Sequence, residues 1–165
     1  DLQHFINNPH EYIANFLPFA LKSDIYISCH FWDPRSPEIL KPEDYLHPDF
    51  RISIIGDVSC DIKKPIASTL RASKIADPIY GYNPITQQED DPFKPGNITV
   101  MAIDNLPAEL PRSSSADFAH AFYYKVLPEL LKGDESKVIE RATILKNGRL
   151  TPHFEYLKDY LEGRE

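Results

Sequence analysis

Two short segments of this chain concentrate the residue types that do chemistry. Asp57-Val58-Ser59-Cys60-Asp61 sets carboxylates, a hydroxyl and a thiol close together, and Ile103-Asp104-Asn105-Leu106 sets a carboxylate and an amide between apolar neighbours. A carboxylate such as Asp61 can orient a cationic group or help move a proton. Asp104 and Asn105 can hydrogen-bond ligand hydroxyls or amides, while Leu106 can press on a ring face. The Cys60 thiol would be a nucleophile only beside a base, and the sequence shows none. Each group also has a plain structural reading: Asp61 as a turn cap, Val58 to Cys60 as strand-end packing, Asp104 and Asn105 as partners for free backbone groups. His30 and Asp33 form a third polar tip, but a lone histidine is more often a packed or surface residue, and that reading is kept. The other histidines, 4, 10, 47, 120 and 153, have no metal-ligand spacing, so no metal is predicted.

The elements that must position these groups are three apolar runs. Residues 24–29, 51–56 and 98–103 each run into acidic or amide residues at the carboxyl end. Buried parallel strands read as continuous hydrophobic runs, and open α/β sheets bind ligands just beyond the strands' carboxyl ends. Three strands turning polar at the same end predict one shared ligand edge.

Helical signals flank the strands. Asn8-Pro9-His10-Glu11 reads as a capped helix start, with Ile13, Phe16, Leu17, Ala20 and Leu21 on one face and a kink at Pro18. A short crossover helix is expected between the first two strands, with Ile39, Leu40, Tyr45 and Leu46 facing inward. Residues 62–97 replace the next crossover with an irregular stretch, in which 66–71 reads as a helical turn and 79–82 as a short strand. After the third strand, Ser114 and Asp117 read as an N-cap pair. Ala119, Phe122, Tyr123, Val126, Leu127 and Leu130 make an apolar stripe, and Pro128 predicts a bend. Residues 135–145 read as another helix, Asn147-Gly148 as a turn, and Thr151-Pro152 as the start of a last short helix. The aromatics at 80–82 and 118–124 read as core or interface.

The chain has 165 residues, enough for a real core, with a net charge of −7. No basic field is present to attract a phosphate backbone, so nucleic acid is excluded as a partner, and no apolar stretch reaches membrane-spanning length. Fifteen prolines against six glycines predict rigid connections. Cys29 and Cys60, read as two buried thiols, fit a reducing cytoplasm better than a disulfide framework. The start at Asp1 without methionine, close to a helix, predicts a fragment of a longer protein.

The segment 57–61 resembles the "DVSAD" or "DITCD" element of the lysine-pathway saccharopine dehydrogenases and lysine–ketoglutarate reductases. Residues 103–112, Ile-Asp-Asn-Leu-Pro-Ala-Glu-Leu-Pro-Arg, are similar to their "IDHLPSLLPR". Residues 29–37 are similar to "CMYWEQRFP", and 75–84 to "IDYPFFRYDP". The matches keep their order from about Tyr12 to Lys132. The wider superfamily, with alanine dehydrogenase and the nicotinamide nucleotide transhydrogenases, shares the Asp-x-x-x-Asp and Asp-Asn-(Leu/Met)-Pro elements.

The resemblance implies an α/β fold: a partial Rossmann-like parallel sheet, the later half of an NAD(P)-binding domain over residues 1–112. Residues 113–165 would be a C-terminal helical segment returning to a missing substrate domain. It implies NAD or NADP as cofactor, backbone contact of Val58 with it, and Ile103, Asp104, Asn105 and Leu106 lying along the nicotinamide and its ribose. It implies that Ser59, Cys60 and Asp61 meet an amino-acid substrate, with Asp61 catalytic. No Gly-x-Gly-x-x-Gly occurs, and the family's catalytic lysine and histidine belong to an upstream domain. The expectation is therefore a piece of an NAD(P)-dependent amino-acid dehydrogenase that is inactive alone, partners the upstream half of the same enzyme and self-associates through exposed apolar surface. Alanine dehydrogenase, or a non-catalytic α/β binding module, is the alternative.

Overall fold

The computed structural model describes residues 1–164. They fall into two units, Asp1–Glu109 and the described residues from Leu110 onward. The first is built on a five-stranded sheet of β1 (Ile25–Ser28), β2 (Ile54–Asp57), β3 (Ile79–Asn83), β4 (Gln88–Asp90) and β5 (Ile98–Met101), in the order β1-β2-β5-β3-β4. The three expected strands are β1, β2 and β5, which lie side by side and parallel. β3 and β4 extend the sheet antiparallel from β5. The fold is α/β, a partial Rossmann-like arrangement with a mixed sheet.

Register explains which residues form the core. Tyr26, Ile55, Val100 and Tyr80 pair across four neighbouring strands and point to one face. Leu40, Tyr45 and Ile66, from the two crossover connections, pack on that same face. Right-handed crossovers between strands added in one direction must lie on one side of the sheet. The two connections are also bonded to each other: Ile39 and Leu40 donate their N–H groups to Pro65 at 2.9 and 3.1 Å, and Ala67 returns one to Leu40. The next residues in each strand point the other way, where Ile25, Ile27 and Ile54 are exposed.

Several local expectations fail for identifiable reasons. The helix expected from Asn8 onward is three short pieces: α1 (Leu2–Asn7), a 3-10 turn at Pro9–Glu11, and α2 (Leu17–Ala20). Asn8 makes no side-chain cap bond, and Ile13 is 88% exposed. Pro18 has no N–H for the carbonyl of residue 14, so it opens α2 instead of kinking a longer helix. The first crossover helix is a 3-10 turn, Pro42–Leu46, in which the Asp44 carboxylate accepts from the Lys41 N–H at 2.8 Å. Leu40 and Tyr45 face inward as expected, but Leu46 is exposed. Residues 66–71 are not helical; Ile66 forms a parallel bridge with Leu40. Cys29 is exposed rather than buried, and both cysteines are free.

The second unit opens with α3 (Pro111–Ala121), which starts at Pro111 and carries Ser114 and Asp117 inside it rather than as caps. The helix widens at Phe122–Val126, where the Leu127 N–H reaches Phe122 O, and continues as α4 (Leu127–Lys132). This wider turn is how the chain accommodates Pro128, whose ring would clash with the Tyr124 carbonyl in a regular helix. Gly133 ends α4 in a left-handed cap with φ 101°. A short helix α5 (Val138–Ala142) precedes the hairpin of β6 (Leu145–Lys146) and β7 (Arg149–Leu150). Asn147 and Gly148 turn it with positive φ at both positions. A 3-10 turn, Pro152–Leu157, then leads into α6 (Lys158–Leu161). No described residue of this unit is buried.

Candidate functional site

The three polar tips emerge from neighbouring strands. Ser28 at the end of β1 pairs with Asp57 at the end of β2, and Gly56 pairs with Met101 at the end of β5. The Val58 N–H donates to Ser28 O at 3.0 Å, which ties the second tip to the first. Residues 29–33, 58–61 and 102–106 therefore share the carboxyl edge of the parallel strands, where open α/β sheets take ligands.

Asp57 organises this edge. Its side chain is fully buried. Oδ1 accepts from the Ser28 and Ser59 hydroxyls, each at 2.6 Å, and from the Ser59 and Cys60 N–H groups at 3.0 and 3.2 Å. Oδ2 accepts from the Thr69 hydroxyl at 2.6 Å. Burial pushes the carboxyl pKa up, but these donors outweigh it and hold Asp57 below its ordinary range. The short distances suit an ionised acceptor. Thr69 is itself held in place: the Tyr80 hydroxyl accepts from the Leu70 N–H at 2.9 Å and donates to Ser68 O at 3.0 Å, and the Tyr45 hydroxyl donates to Ser68 Oγ at 3.0 Å.

The turn beyond Asp57 carries the residues singled out by sequence. Val58 is 40% exposed. Ser59 and Cys60 are half-buried, and Asp61 is exposed. Cys60 takes a left-handed backbone, φ 57°, and its thiol donates to Asp57 O at 3.2 Å. Burial, and then the charges of Asp57, Asp104 and Asp61, push the thiol pKa up to about 11. A thiol kept neutral among carboxylates is a poor nucleophile.

On β5 the transition from strand to ligand edge is anchored from beneath. Ser73 donates its N–H to Ala102 O at 2.7 Å and accepts the Ala102 N–H on its hydroxyl at 3.0 Å. Ile103 is buried and bridges to Ser73. Asp104 and Asn105 are exposed, and half-buried Leu106 begins the 3-10 turn Leu106–Glu109. Asn105 and Leu106 stand outside the hydrogen-bond net of Asp57.

At the third tip His30 is half-buried and packed, in line with the reading kept for it. His30 Nε2 meets the Tyr26 hydroxyl at 3.2 Å, while its buried Nδ1 has no partner. Asp33 forms a two-pronged pair with Arg35, whose hydrogen bonds bring its pKa down to about 2. Both residues line a cavity of about 360 Å³ with Tyr12, Phe16, Phe31 and Trp32. None of residues 58–61 or 103–106 lines it. Sequence reasoning passed over Phe31 and Trp32; two aromatics immediately after a strand end were the available signal. Among the described residues, no His, Cys, Asp and Glu side chains group so as to hold a metal ion, and no helix is long and apolar enough to cross a membrane.

No family model matches the chain. It is similar to an Arabidopsis thaliana alpha-aminoadipic semialdehyde synthase, 26% identical over 141 residues covering 82% of this chain and 13% of the relative. It is 30% identical over 137 residues to an Emericella nidulans saccharopine dehydrogenase [NAD(+), L-lysine-forming], covering 78% of this chain and 33% of the relative. A mitochondrial alpha-aminoadipic semialdehyde synthase of Rattus norvegicus is 26% identical over 184 aligned positions, covering 95% of this chain and 20% of the relative. The chain spans a third or less of the length of these relatives.

Proposed function

We propose that this chain supplies the later half of the nucleotide-binding domain of an NAD(P)-dependent amino-acid dehydrogenase of the saccharopine dehydrogenase or lysine–ketoglutarate reductase type. The observation that carries the reading is the adjacency of three parallel strand ends, with residues 58–61 on β2 and 103–106 on β5. Similarity to proteins named saccharopine dehydrogenase and alpha-aminoadipic semialdehyde synthase supports the substrate class. Residues 1–112 belong to the nucleotide domain in this reading, and 113–165 are the helical segment returning toward the substrate domain.

The donor set fits half of a nicotinamide dinucleotide. NAD or NADP supplies the hydride chemistry, between an amino acid and the corresponding imine. The Val58 backbone, Ile103, Asp104, Asn105 and Leu106 would hold the nicotinamide end: carboxylate and amide for hydroxyl and carboxamide groups, half-buried Leu106 for a ring face. Ser59, Cys60 and Asp61 would meet the substrate, with the exposed Asp61 carboxylate orienting its ammonium and holding a proton in the imine step. Cys60 serves as a neutral hydrogen-bonding thiol, in keeping with its raised pKa. The pyrophosphate half has no counterpart here, because no glycine-rich turn is present to let backbone approach it. The chain by itself is inactive in this reading.

The sheet supports the corresponding partner. Among the described residues β1 has no strand on its outer edge, and Ile25, Ile27 and Ile54 are exposed on the face opposite the crossovers. Parallel sheets are normally covered on both faces. The upstream half of the same enzyme would pair along β1 and cover that face; without it, the patch favours self-association. The missing glycine turn favours one rival reading, a binding module without catalysis.

The test is turnover by the intact protein that carries this chain. It should oxidise saccharopine, or reduce the lysine–2-oxoglutarate adduct, with NAD(H) or NADP(H). Asp61→Asn should lower kcat/KM by about 10²-fold or more, as expected for loss of a group acting in proton transfer. No nicotinamide-dependent turnover with either substrate pair would overturn the reading.

A further inference from the structure

Asp57 is a buried carboxylate with no direct part in the chemistry proposed above, yet it draws together more of the candidate site than any other side chain. Its donors come from three separate stretches: Ser28 at the tip of β1, Ser59 and Cys60 in the turn after β2, and Thr69 in the long connection. Ser28 and Thr69 lie 29 and 12 residues away along the chain. A carboxylate taken fully out of water persists as a charge only when its oxygens are occupied by donors, and these are.

The turn it holds is strained. Cys60 has φ 57°, a region that residues with a Cβ rarely enter. Such conformations persist only where the surroundings over-determine them, and they concentrate at functional sites. Here Cys60 is held twice by the same residue: its N–H donates to Asp57 Oδ1 and its thiol to Asp57 O. Asp61 is the next residue along. With the carboxylate gone, Cys60 is free to relax to negative φ, and the backbone that carries the exposed Asp61 is released with it.

We infer that Asp57 is the positioning residue of this edge, a buried anionic pin that holds residues 58–61 in the one conformation presenting Asp61 to the ligand side. Thr69 is the far end of the same clasp. Its position is fixed by Tyr80, which bonds the residues on either side of it, Ser68 and Leu70. The functional half of this inference rests on the reading under Proposed function; the structural half does not.

Native-state amide hydrogen exchange on the chain tests the structural half. The Ser59 and Cys60 amides donate to Asp57 Oδ1. Asp57→Ala should lower their protection by about 100-fold or more, with the Ile55 and Val100 amides falling only by the change in global stability. Asp57→Asn, which keeps an acceptor but not the charge, should show a smaller loss of the same pattern and serves if the alanine variant does not fold. Ile52→Val, a core change outside the hydrogen-bond net of the carboxylate, is the control and should leave Ser59 and Cys60 exchange following global stability. Uniform loss of protection in both Asp57 variants, matching the control, would overturn the inference. In the intact protein, Asp57→Asn should lower kcat/KM for the amino-acid substrate by about tenfold or more; unchanged kcat/KM would overturn the positioning role. Absence of any turnover by the unsubstituted protein would remove the dehydrogenase reading, and the exchange result would still decide what Asp57 does.

Discussion

The two faces of the parallel strands are made of similar residues and lead opposite lives. Tyr26, Ile55 and Val100 point into a core closed by Leu40, Tyr45 and Ile66, whereas Ile25, Ile27 and Ile54 on the other face are exposed by 57%, 65% and 45%. The difference lies in the crossovers. Both run on one side, because β1, β2 and β5 are added in one direction and right-handed connections then share a face. Apolar composition marks a face for burial; topology decides whether this chain itself supplies the cover.

The sharpest way to break this comparison is to truncate the same side chain on each face. Ile55→Ala should cost about 2–5 kcal/mol in denaturant unfolding, since it opens a cavity in a packed core. Ile27→Ala should cost less than about 1 kcal/mol, since most of that side chain is already in water. Equal losses would mean that the second face is covered in solution.

Asp57 lies on the covered face, and its contribution depends on pH. Its folded-state pKa is lowered from the ordinary 3.8, so the stability it adds is present above that value and is lost as pH falls through the lower folded value. Asp57→Asn should therefore cost about 1.5–3 kcal/mol at neutral pH, the range for hydrogen bonds to a charged group, and should approach the unsubstituted chain in acid. A gap that stays constant down to pH 2 would contradict an ionised, donor-stabilised carboxylate.

Two glycines sharpen the contrast further. A Cβ at Gly81 would lie 2.4 Å from Asp91 O, whereas one at Gly56 would meet only Met101 Cε at 3.6 Å and Ile27 Cγ1 at 3.8 Å on the open face. Gly81→Ala should cost about 1–3 kcal/mol by forcing backbone apart, and Gly56→Ala should stay within about 0.5 kcal/mol. The smallest effect on stability is expected for Ile27→Lys with Ile54→Lys, also within about 0.5 kcal/mol each. The same pair should shift the chain toward monomer in sedimentation velocity, the sign that the open face drives association.

Much of the scaffold was legible along the chain. The strands read clearly because β-branched runs end in polar residues, and Asn147-Gly148 read as a turn because both residues tolerate positive φ. Helices were less legible. The periodicity of Ile13, Phe16, Leu17 and Ala20 suggested one helix, but short helices are marginal without packing, and Pro18 denies this one its hydrogen bond. Leu46 was read as inward from an expected helix that is a 3-10 turn, and Cys29 because a continuous apolar run implies cover on both faces, whereas Ile25 and Ile27 beside it are exposed.

What the sequence determined alone is local: where strands begin and end, which turns need glycine or asparagine, and which carboxylates, amides and thiols stand just past the strand ends. What the tertiary structure decided is everything that depends on residues distant in the chain. Asp57 is a pinned, ionised anchor only because Ser28 and Thr69 arrive from other segments, and the Cys60 thiol pKa is pushed up to about 11 by its burial and then by the charges of Asp57, Asp104 and Asp61. Hydrogen bonds and charge act over a few ångströms of space, whatever the number of residues between the partners.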